Sequence, residues 1–180
     1  NKTKLADKTS LAMAPFSAAG NAVFAKLEYS KNEVANLRGN ILIDTAATKK
    51  NFLSAADKYG ILHLATHTIV NDTIPERSLI AFYPVADSLP NENNLYVQEI
   101  YNLKLDSTRL VILSACETGT GQLAKGEGLM SLARAFTYAG CPNIIASLWK
   151  ADDKSTAWLV QRFYYHLQKG ASTAAALQKA

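Results

Sequence analysis

Two apolar chain segments each lead into a residue that could take part in nucleophilic chemistry. The run 110–113 is followed by Cys116, and the run 61–65 is followed by His67. A free thiol with a pKa of about 8.5 is a weak nucleophile, but a nearby imidazole can hold it as the thiolate. The same imidazole can then deliver a proton to a leaving amine. If the two segments end side by side, Cys116 and His67 can form a catalytic dyad.

The other cysteine and histidines have simpler interpretations. Packing in a core is a common role of free cysteine and an alternative for Cys116, but the polar turn after it and the matching His67 favour a nucleophile. Cys141 lies in a predicted helix-to-strand link, which favours packing. His63 lies in mid-strand among apolar neighbours, as core histidines do, and His166 is expected on an exposed helix face.

Two ion-binding patterns are incomplete in this chain. His63 and His67 spell H-x-x-x-H, but a zinc site of that spacing lies on a helix and has Glu after the first histidine, whereas this stretch is a predicted strand. Gly121 and Gly126 have phosphate-loop spacing, but Glu127 stands where that loop needs Lys. We therefore predict no metal and no cofactor.

Asp152 and Asp153 follow the predicted strand 143–148 and begin a predicted helix. Aspartate at a helix start caps free N–H groups and favours the helix dipole. Only one of the two can be the cap residue. The other could line an acidic pocket for an Arg or Lys side chain of a substrate, so a cap alone and a cap with a pocket both remain open.

Predicted strands and helices alternate along the chain. Ser30 and Glu33 form a capping-box pattern for the first helix, and residues 1–26 give no firm element and are interpreted as a tail or an edge hairpin. Apolar strands alternating with helices predict an α/β fold with a parallel sheet covered on both faces. Strand ends that share one edge of such a sheet would bring His67, Cys116 and the aspartates together. The predicted strands are 40–44, 61–65, 78–83, 109–113 and 143–148, and the predicted helices are 30–39, 48–60, 128–139, 152–170 and 172–180.

Composition excludes several classes of protein. Nineteen basic and fifteen acidic residues give a net charge of +4 without a basic cluster, which argues against nucleic-acid binding. Apolar runs fall well short of the roughly 20 residues of a membrane helix. Two cysteines argue against a disulfide framework and for a reducing, cytoplasmic compartment. The last helix has no cap or closing strand, which suggests a piece of something longer.

Five motifs together resemble the CHAT domain, the caspase-like peptidase domain related to separase that often follows tetratricopeptide repeats. The resemblance covers about 28–180, which leaves 1–27 as an N-terminal extension or edge segment, and the family normally continues to a further strand. The motifs are His-Leu-Ala-Thr-His at 63–67, Leu-Ser-Ala-Cys-Glu-Thr-Gly at 113–119, Gly-Glu-Gly-Leu at 126–129, Ala-Arg-Ala-Phe at 133–136 and Ala-Ser-Leu-Trp-Lys-Ala-Asp-Asp at 146–153.

The resemblance implies a caspase-like three-layer α/β sandwich and a cysteine endopeptidase that acts on protein or peptide substrates. His67 would be the general base and acid and Cys116 the nucleophile, with an oxyanion hole made by the backbone N–H groups of Cys116 and Thr68. Asp152 and Asp153 would select a basic residue before the scissile bond. A tetratricopeptide-repeat region or a regulatory partner would control activity. Thr68 replaces the usual glycine, which motivates the alternative of a non-catalytic signalling or interaction module.

Overall fold

Strands and helices alternate along the chain, as the sequence predicts. The computed structural model describes residues 5, 9–85, 89–114, 116–117, 127–147 and 151–180, with the backbone alone described at 90, 91, 116 and 117. The strands are β1 (Ser10–Ala14), β2 (Gly39–Ile43), β3 (Ile61–Leu64), β4 (His67–Ile69), β5 (Leu79–Ala81), β6 (Asn94–Tyr96), β7 (Leu110–Leu113), β8 (Cys116–Glu117) and β9 (Ile144–Ala146). The α-helices are α1 (Ser30–Val34), α2 (Lys49–Leu53), α3 (Val97–Tyr101), α4 (Glu127–Tyr138), α5 (Asp153–Gln168) and α6 (Thr173–Gln178).

Five of the strands form a parallel sheet in the order β2-β1-β3-β7-β9. Helices lie between consecutive strands of this sheet in the sequence, because parallel neighbours need a crossover connection. The predicted α/β fold with a mostly parallel central sheet is therefore confirmed. Within the described part of the chain, no helix has both the length and the apolar content to cross a membrane.

The sheet sends alternate side chains into two helical layers. On β7, Val111 and Leu113 belong to the core shared with α2, α3 and α4, whereas Leu110 and Ile112 pack with α5 and α6. Val34 of α1 covers the same side of the sheet as α5, above the alanines of β1. The arrangement is helices, sheet and helices, and the carboxyl ends of the five parallel strands lie along one edge of the sheet, here called the rim.

Strand β1 corrects the interpretation of the N-terminal residues. Residues 10–14 were assigned from the sequence to an extension or edge segment, but β1 pairs with β2 on one side and β3 on the other. All five of its residues are buried. Ser-Leu-Ala-Met-Ala carries a weak strand signal because alanine and serine have low β propensity, and its burial comes from neighbours distant in sequence.

Strands β3 and β7 each continue beyond the large sheet into a second sheet of order β6-β5-β4-β8. Leu64 and Leu113 form the last register pair of β3 with β7, and His67 and Cys116 form the first register pair of β4 with β8. The histidine-bearing and cysteine-bearing segments therefore run parallel to each other in both sheets. Strand β5 pairs antiparallel with β4 and with β6, which closes the other side of β4.

Candidate functional site

His67 is held in an aromatic cradle made by the connection between β1 and α1. Its ring lies 5.3 Å from the ring of Phe16 and 5.2 Å from that of Phe24, centroid to centroid, with Phe24 stacked nearly parallel. The imidazole Nε2–H donates to the carbonyl of Ala25 at 2.8 Å. His67 is only 2% exposed, so the ring is fixed by packing as well as by the hydrogen bond.

The hydrogen bond to Ala25 determines which nitrogen of His67 can act as a base. A carbonyl only accepts, so Nε2 carries the hydrogen and Nδ1 of the neutral ring keeps its lone pair. Nδ1 is buried and has no hydrogen-bond partner among the described residues. Burial lowers the pKa of His67 below its ordinary value, while the Ala25 carbonyl and the charge of Asp153 act in the opposite direction. The ring is therefore neutral at neutral pH and has a proton acceptor available.

Cys116 lies directly beside His67 in the neighbouring strand. The register pairs His67 with Cys116 and Thr68 with Glu117. Backbones of adjacent strands run about 4.8 Å apart, so the two residues share one position along the rim. The side chain of Cys116, and with it the predicted contact between sulfur and imidazole, lies outside the described residues. The backbone juxtaposition that the predicted dyad requires is present.

Thr68, predicted to supply an oxyanion N–H, is a buried residue in the middle of β4. Its Cα is paired with Ile80 of β5 on one side and with Glu117 of β8 on the other. A residue in this position uses its backbone groups in the sheet ladders. The oxyanion roles of Thr68 and Cys116 stay predictions.

Asp152 is the N-cap of α5, as both interpretations from the sequence require. Its carboxylate accepts the backbone N–H and the hydroxyl of Ser155, both at 2.9 Å. The backbone N–H of Ser155, followed by its hydroxyl, holds the pKa of the Asp152 carboxyl below its ordinary value. Asp152 is exposed to solvent and ionised at neutral pH, so it can attract a cationic side chain.

Asp153 has a different environment from Asp152. Its carboxylate accepts the backbone N–H of Tyr29, just before α1, at 2.7 Å. Burial raises the pKa of Asp153 above its ordinary value; the Tyr29 hydrogen bond opposes that effect and the nearby charge of Glu33 adds to it. The charge of Asp153 also acts on His67. Asp153 therefore faces the protein interior near His67, whereas Asp152 faces solvent.

A cleft of about 480 Å³ opens between the ends of β7 and β9 and the first turns of α5. Apolar side chains such as Ile145 and Leu159 form much of its wall, and Ser114, Asp152 and Ser155 contribute polar groups. Ser114 precedes Cys116 by two residues, so the cleft adjoins the strand that carries the candidate nucleophile. This shape suits an extended side chain with an apolar stem and a polar end.

A buried polar cluster below the rim has no counterpart among the site residues predicted from the sequence. The two ring nitrogens of His63 lie within hydrogen-bonding distance of three groups. Nδ1 lies 3.0 Å from the Tyr164 hydroxyl, and Nε2 lies 2.6 Å from Glu33 Oε1 and 3.1 Å from Ser114 Oγ. The predicted capping box of Ser30 and Glu33 is wrong, because Glu33 binds His63 and the Ser30 hydroxyl donates to Leu27.

His63 is a core histidine, as predicted, and both of its ring nitrogens are engaged. Neither nitrogen is left to bind a metal, which removes the H-x-x-x-H alternative for this conformation. The aromatic cradle of His67 was missed because residues 16–25 were placed outside the domain. The signal available in the sequence was Phe16 and Phe24, two large apolar residues in a stretch otherwise made of small and polar ones.

The family model of the CHAT domain matches residues 2–180. The chain belongs to the CHAT domain family. This family is related to the caspase-like cysteine peptidases, and the parallel sheet between two helical layers is consistent with the caspase-like fold. The match begins before β1, in agreement with the place of that strand inside the sheet.

The curated relatives of this CHAT domain are much longer proteins. Tetratricopeptide repeat protein 28 of Mus musculus is 26% identical over 77% of this chain, and the human protein of the same name is 25% identical over the same share. The chain spans 7% of the length of each. Among solved structures, a Streptococcus pneumonia TIGR4 flavodoxin aligns with a TM-score of 0.42 at 15% identity, over 91% of this chain and 99% of the flavodoxin.

Proposed function

We propose that this CHAT domain is a cysteine endopeptidase with Cys116 as nucleophile and His67 as general base and acid. The observation that carries the proposal is the register pair of His67 with Cys116, combined with a His67 tautomer that leaves Nδ1 unprotonated. A nucleophile and its base must lie within reach of each other. Strands β3 and β7 end side by side, and the segments that follow them bring His67 and Cys116 to neighbouring positions.

The reaction needs no group beyond these residues, the backbone and water. His67 takes the thiol proton, the thiolate of Cys116 attacks the peptide carbonyl carbon, and backbone N–H groups stabilise the oxyanion. Collapse breaks the C–N bond, and the leaving amine takes the proton from His67. Water then attacks the thioester with His67 again as base, which releases the acid and regenerates the thiol.

A basic residue before the scissile bond is the substrate preference that we infer. The supporting observation is the ionised, exposed Asp152 at the wall of the 480 Å³ cleft beside β7. An Arg or Lys side chain could lay its methylene stem along the apolar wall and bring its charge to the carboxylate. Asp153, which binds Tyr29, is a weaker candidate for direct contact.

Control by an adjoining repeat region is the regulation that we propose. The curated relatives are tetratricopeptide repeat proteins of which this chain matches a small part, so the domain resembles a segment that works beside repeats. A cytoplasmic location would suit the free thiols, because glutathione and thioredoxin keep cysteines reduced there.

The proposal is tested with an activity-based probe that carries arginine next to a thiol-reactive electrophile. The wild-type domain should be labelled, and Cys116→Ala and His67→Asn should lose the label. Cys141→Ala is the matched control, since Cys141 is buried in the main core and its labelled fraction should equal that of wild type. Equal labelling of Cys116→Ala would exclude this nucleophile.

A non-catalytic interaction module is the second candidate. The observation in its favour is Thr68, a buried β-branched residue built into the sheet on both sides, next to the histidine. A β-branched residue restricts the backbone conformations available at the position whose N–H would line the oxyanion hole. A protein with its flanking regions intact that cleaves no member of a peptide library, yet folds stably, would favour this candidate.

A further inference from the structure

Four side chains from different parts of the chain meet in the cluster around His63. Glu33 comes from α1, His63 from β3 and Tyr164 from α5, and Ser114 follows the last residue of β7. The His63 ring also stacks on the Tyr164 ring, with the centroids 5.7 Å apart. Glu33 and His63 are 3% and 0% exposed, whereas Ser114 is partly buried and lines the cleft.

Three of the chain segments that meet in the cluster lead to, or begin at, candidate site residues. Ser114 precedes Cys116 by two residues, and His63 precedes His67 by four. Tyr164 lies on α5, the helix that begins at Asp153. The hydroxyl of Ser114 also lies 3.5 Å from the carbonyl of Leu64, at the end of β3. The Ser114 hydroxyl therefore connects the end of β7, which leads to Cys116, with the end of β3, which leads to His67. This connection lies just below the rim.

The cluster cannot itself act as a serine hydrolase dyad. An ionised Glu33 only accepts, so Nε2 of His63 carries the hydrogen that Glu33 binds. Ser114 lies beside the same nitrogen, at 3.1 Å, and cannot transfer its proton to a site that already holds one. The other nitrogen, Nδ1, faces the Tyr164 hydroxyl. Ser114 is thus an acceptor of a shared N–H and not an activated nucleophile.

Stability alone is a weak reason for this arrangement. Removing a carboxylate from water is costly, and replacing a buried ion pair with well-packed apolar residues is often neutral or stabilising. What apolar side chains cannot supply is direction, because hydrogen bonds fix the angle as well as the distance between their groups. The directional contacts end at Ser114, where the strand leaves the large sheet toward Cys116.

We propose that Glu33 and His63 are positioning residues for the nucleophile, acting through Ser114. The N–H of His63, oriented by Glu33 on one side and Tyr164 on the other, holds the Ser114 hydroxyl and so fixes the backbone that leads to Cys116. The catalytic consequence rests on the proposed peptidase function, whereas the structural consequence, an ordered β7–β8 segment, does not.

The test uses Ser114→Ala and Glu33→Gln in the full chain, with two readouts. The first is hydrogen exchange of the backbone over 110–117, which needs no activity. The second is the labelling of Cys116 by the arginine probe, resolved into a maximal rate and a half-saturating concentration. Thr108→Val is the matched control, because Thr108 is fully buried and its hydroxyl binds Tyr59 at the opposite end of β7.

Ser114→Ala should speed exchange at 113–117 by about tenfold, since loss of the hydroxyl releases a local structural constraint. Glu33→Gln should speed it by a smaller factor, because its amide oxygen still accepts the His63 N–H but carries no charge. The maximal labelling rate of Ser114→Ala should fall by about tenfold or more, and that of Glu33→Gln by a smaller factor, because small displacements of reacting groups are costly. The half-saturating concentration should stay unchanged in Glu33→Gln, since Glu33 does not line the cleft. The double variant should be no slower than the slower single one, as expected for residues that act in one chain of contacts. Thr108→Val should leave both readouts at 113–117 unchanged.

Unchanged exchange in Ser114→Ala overturns the proposal, even if Glu33→Gln fails to fold. Faster exchange with an unchanged labelling rate in an active wild-type protein also overturns it. If the wild-type protein is not labelled at all, the peptidase proposal fails, and the exchange result still decides whether the cluster orders the β7–β8 segment.

Discussion

His67 is surrounded by groups that affect its protonation in opposite directions. Burial against Phe16 and Phe24 disfavours the imidazolium, while the Ala25 carbonyl and Asp153 favour it. A general base in a peptidase needs a balance of this kind, because the ring must be neutral before the attack and charged after it. Asp153 is the ionisable side chain through which this balance can be changed without altering the cradle.

Asp153→Asn should lower the pKa of His67, because the amide oxygen can still accept the Tyr29 N–H while the negative charge is lost. The measurement is an NMR titration of the His67 ring. Asp152→Asn is the comparison, since Asp152 is exposed and lines the cleft. It should leave the His67 titration in place and weaken the preference for Arg over neutral residues in a peptide library. A His67 pKa that stays constant or rises in Asp153→Asn would contradict the assigned role.

At this scale, the sequence allows candidate site residues to be named, but it does not reveal the groups that support them. His67 and Cys116 are candidates because each follows an apolar strand; the register places their backbones side by side, and their catalytic roles stay proposals. Ala25 was not identified, because a backbone carbonyl has no signature in the sequence. Glu33 was assigned to a capping box, a local pattern that a contact 30 residues away in sequence overrides.

At the scale of elements, the start of α4 is packed tightly against the loop after β4. The backbone N–H of Gly128 donates to the carboxylate of Asp72 at 3.0 Å. A Cβ at Gly128 would lie 2.6 Å from Ser78 Oγ, 2.6 Å from Val70 Cγ1 and 2.8 Å from the nitrogen of Asn71. The helix that follows the cysteine segment is thus anchored to the loop that follows the histidine strand.

Gly128→Ala should destabilise the domain although alanine is the better helix former. The propensity gain is about 1 kcal/mol, and crowding in a packed contact costs about 1–3 kcal/mol, so we expect a net loss of about 1 kcal/mol. Urea denaturation measures the free energy of unfolding. Thr137→Ala, at an exposed position of the same helix, introduces alanine without crowding and should be neutral or slightly stabilising. If the free energy of unfolding is higher for Gly128→Ala than for wild type, the neighbouring atoms move aside at little cost and the predicted crowding is wrong.

Elements with strong local signals were predicted and those defined by distant partners were not. Helix α5 was expected from its Asp152 cap and apolar periodicity, and the structure has both. Strand β1 was not expected, since its alanines and serine become strand residues only between β2 and β3. The same reasoning explains β8, two residues long, whose pairing depends on β4.

For the whole molecule, the buried His67 links stability to pH. Its pKa is lowered in the folded state, so on acidification the unfolded chain takes up a proton first, beginning near the ordinary value of 6.5. The free energy of unfolding therefore falls as the pH drops from that value toward the lower folded pKa. The contribution of Asp153 to stability has the opposite pH dependence. Because its pKa is raised in the folded state, this contribution is present below the ordinary value of 3.8 and is lost as the pH rises through the folded pKa.

Comparison of wild type with His67→Gln isolates the histidine contribution, because other groups nearly cancel in the difference. Wild type should lose stability relative to the variant as the pH is lowered below about 6.5. Thermal unfolding followed by circular dichroism at several pH values gives this difference. A constant difference between wild type and His67→Gln across that range would show that His67 titrates alike in the folded and unfolded chains.

The two strands that carry His67 and Cys116 have the same length of chain between the sheets. Two residues separate β3 from β4, and two separate β7 from β8. Adding one residue to either spacer alone would slide one strand past the other and turn its side chains to the opposite face. Adding one residue to both would keep the pair together. Insertions and deletions at these two places should therefore have been tolerated in evolution only when both spacers changed, so that their lengths co-vary among members of the family.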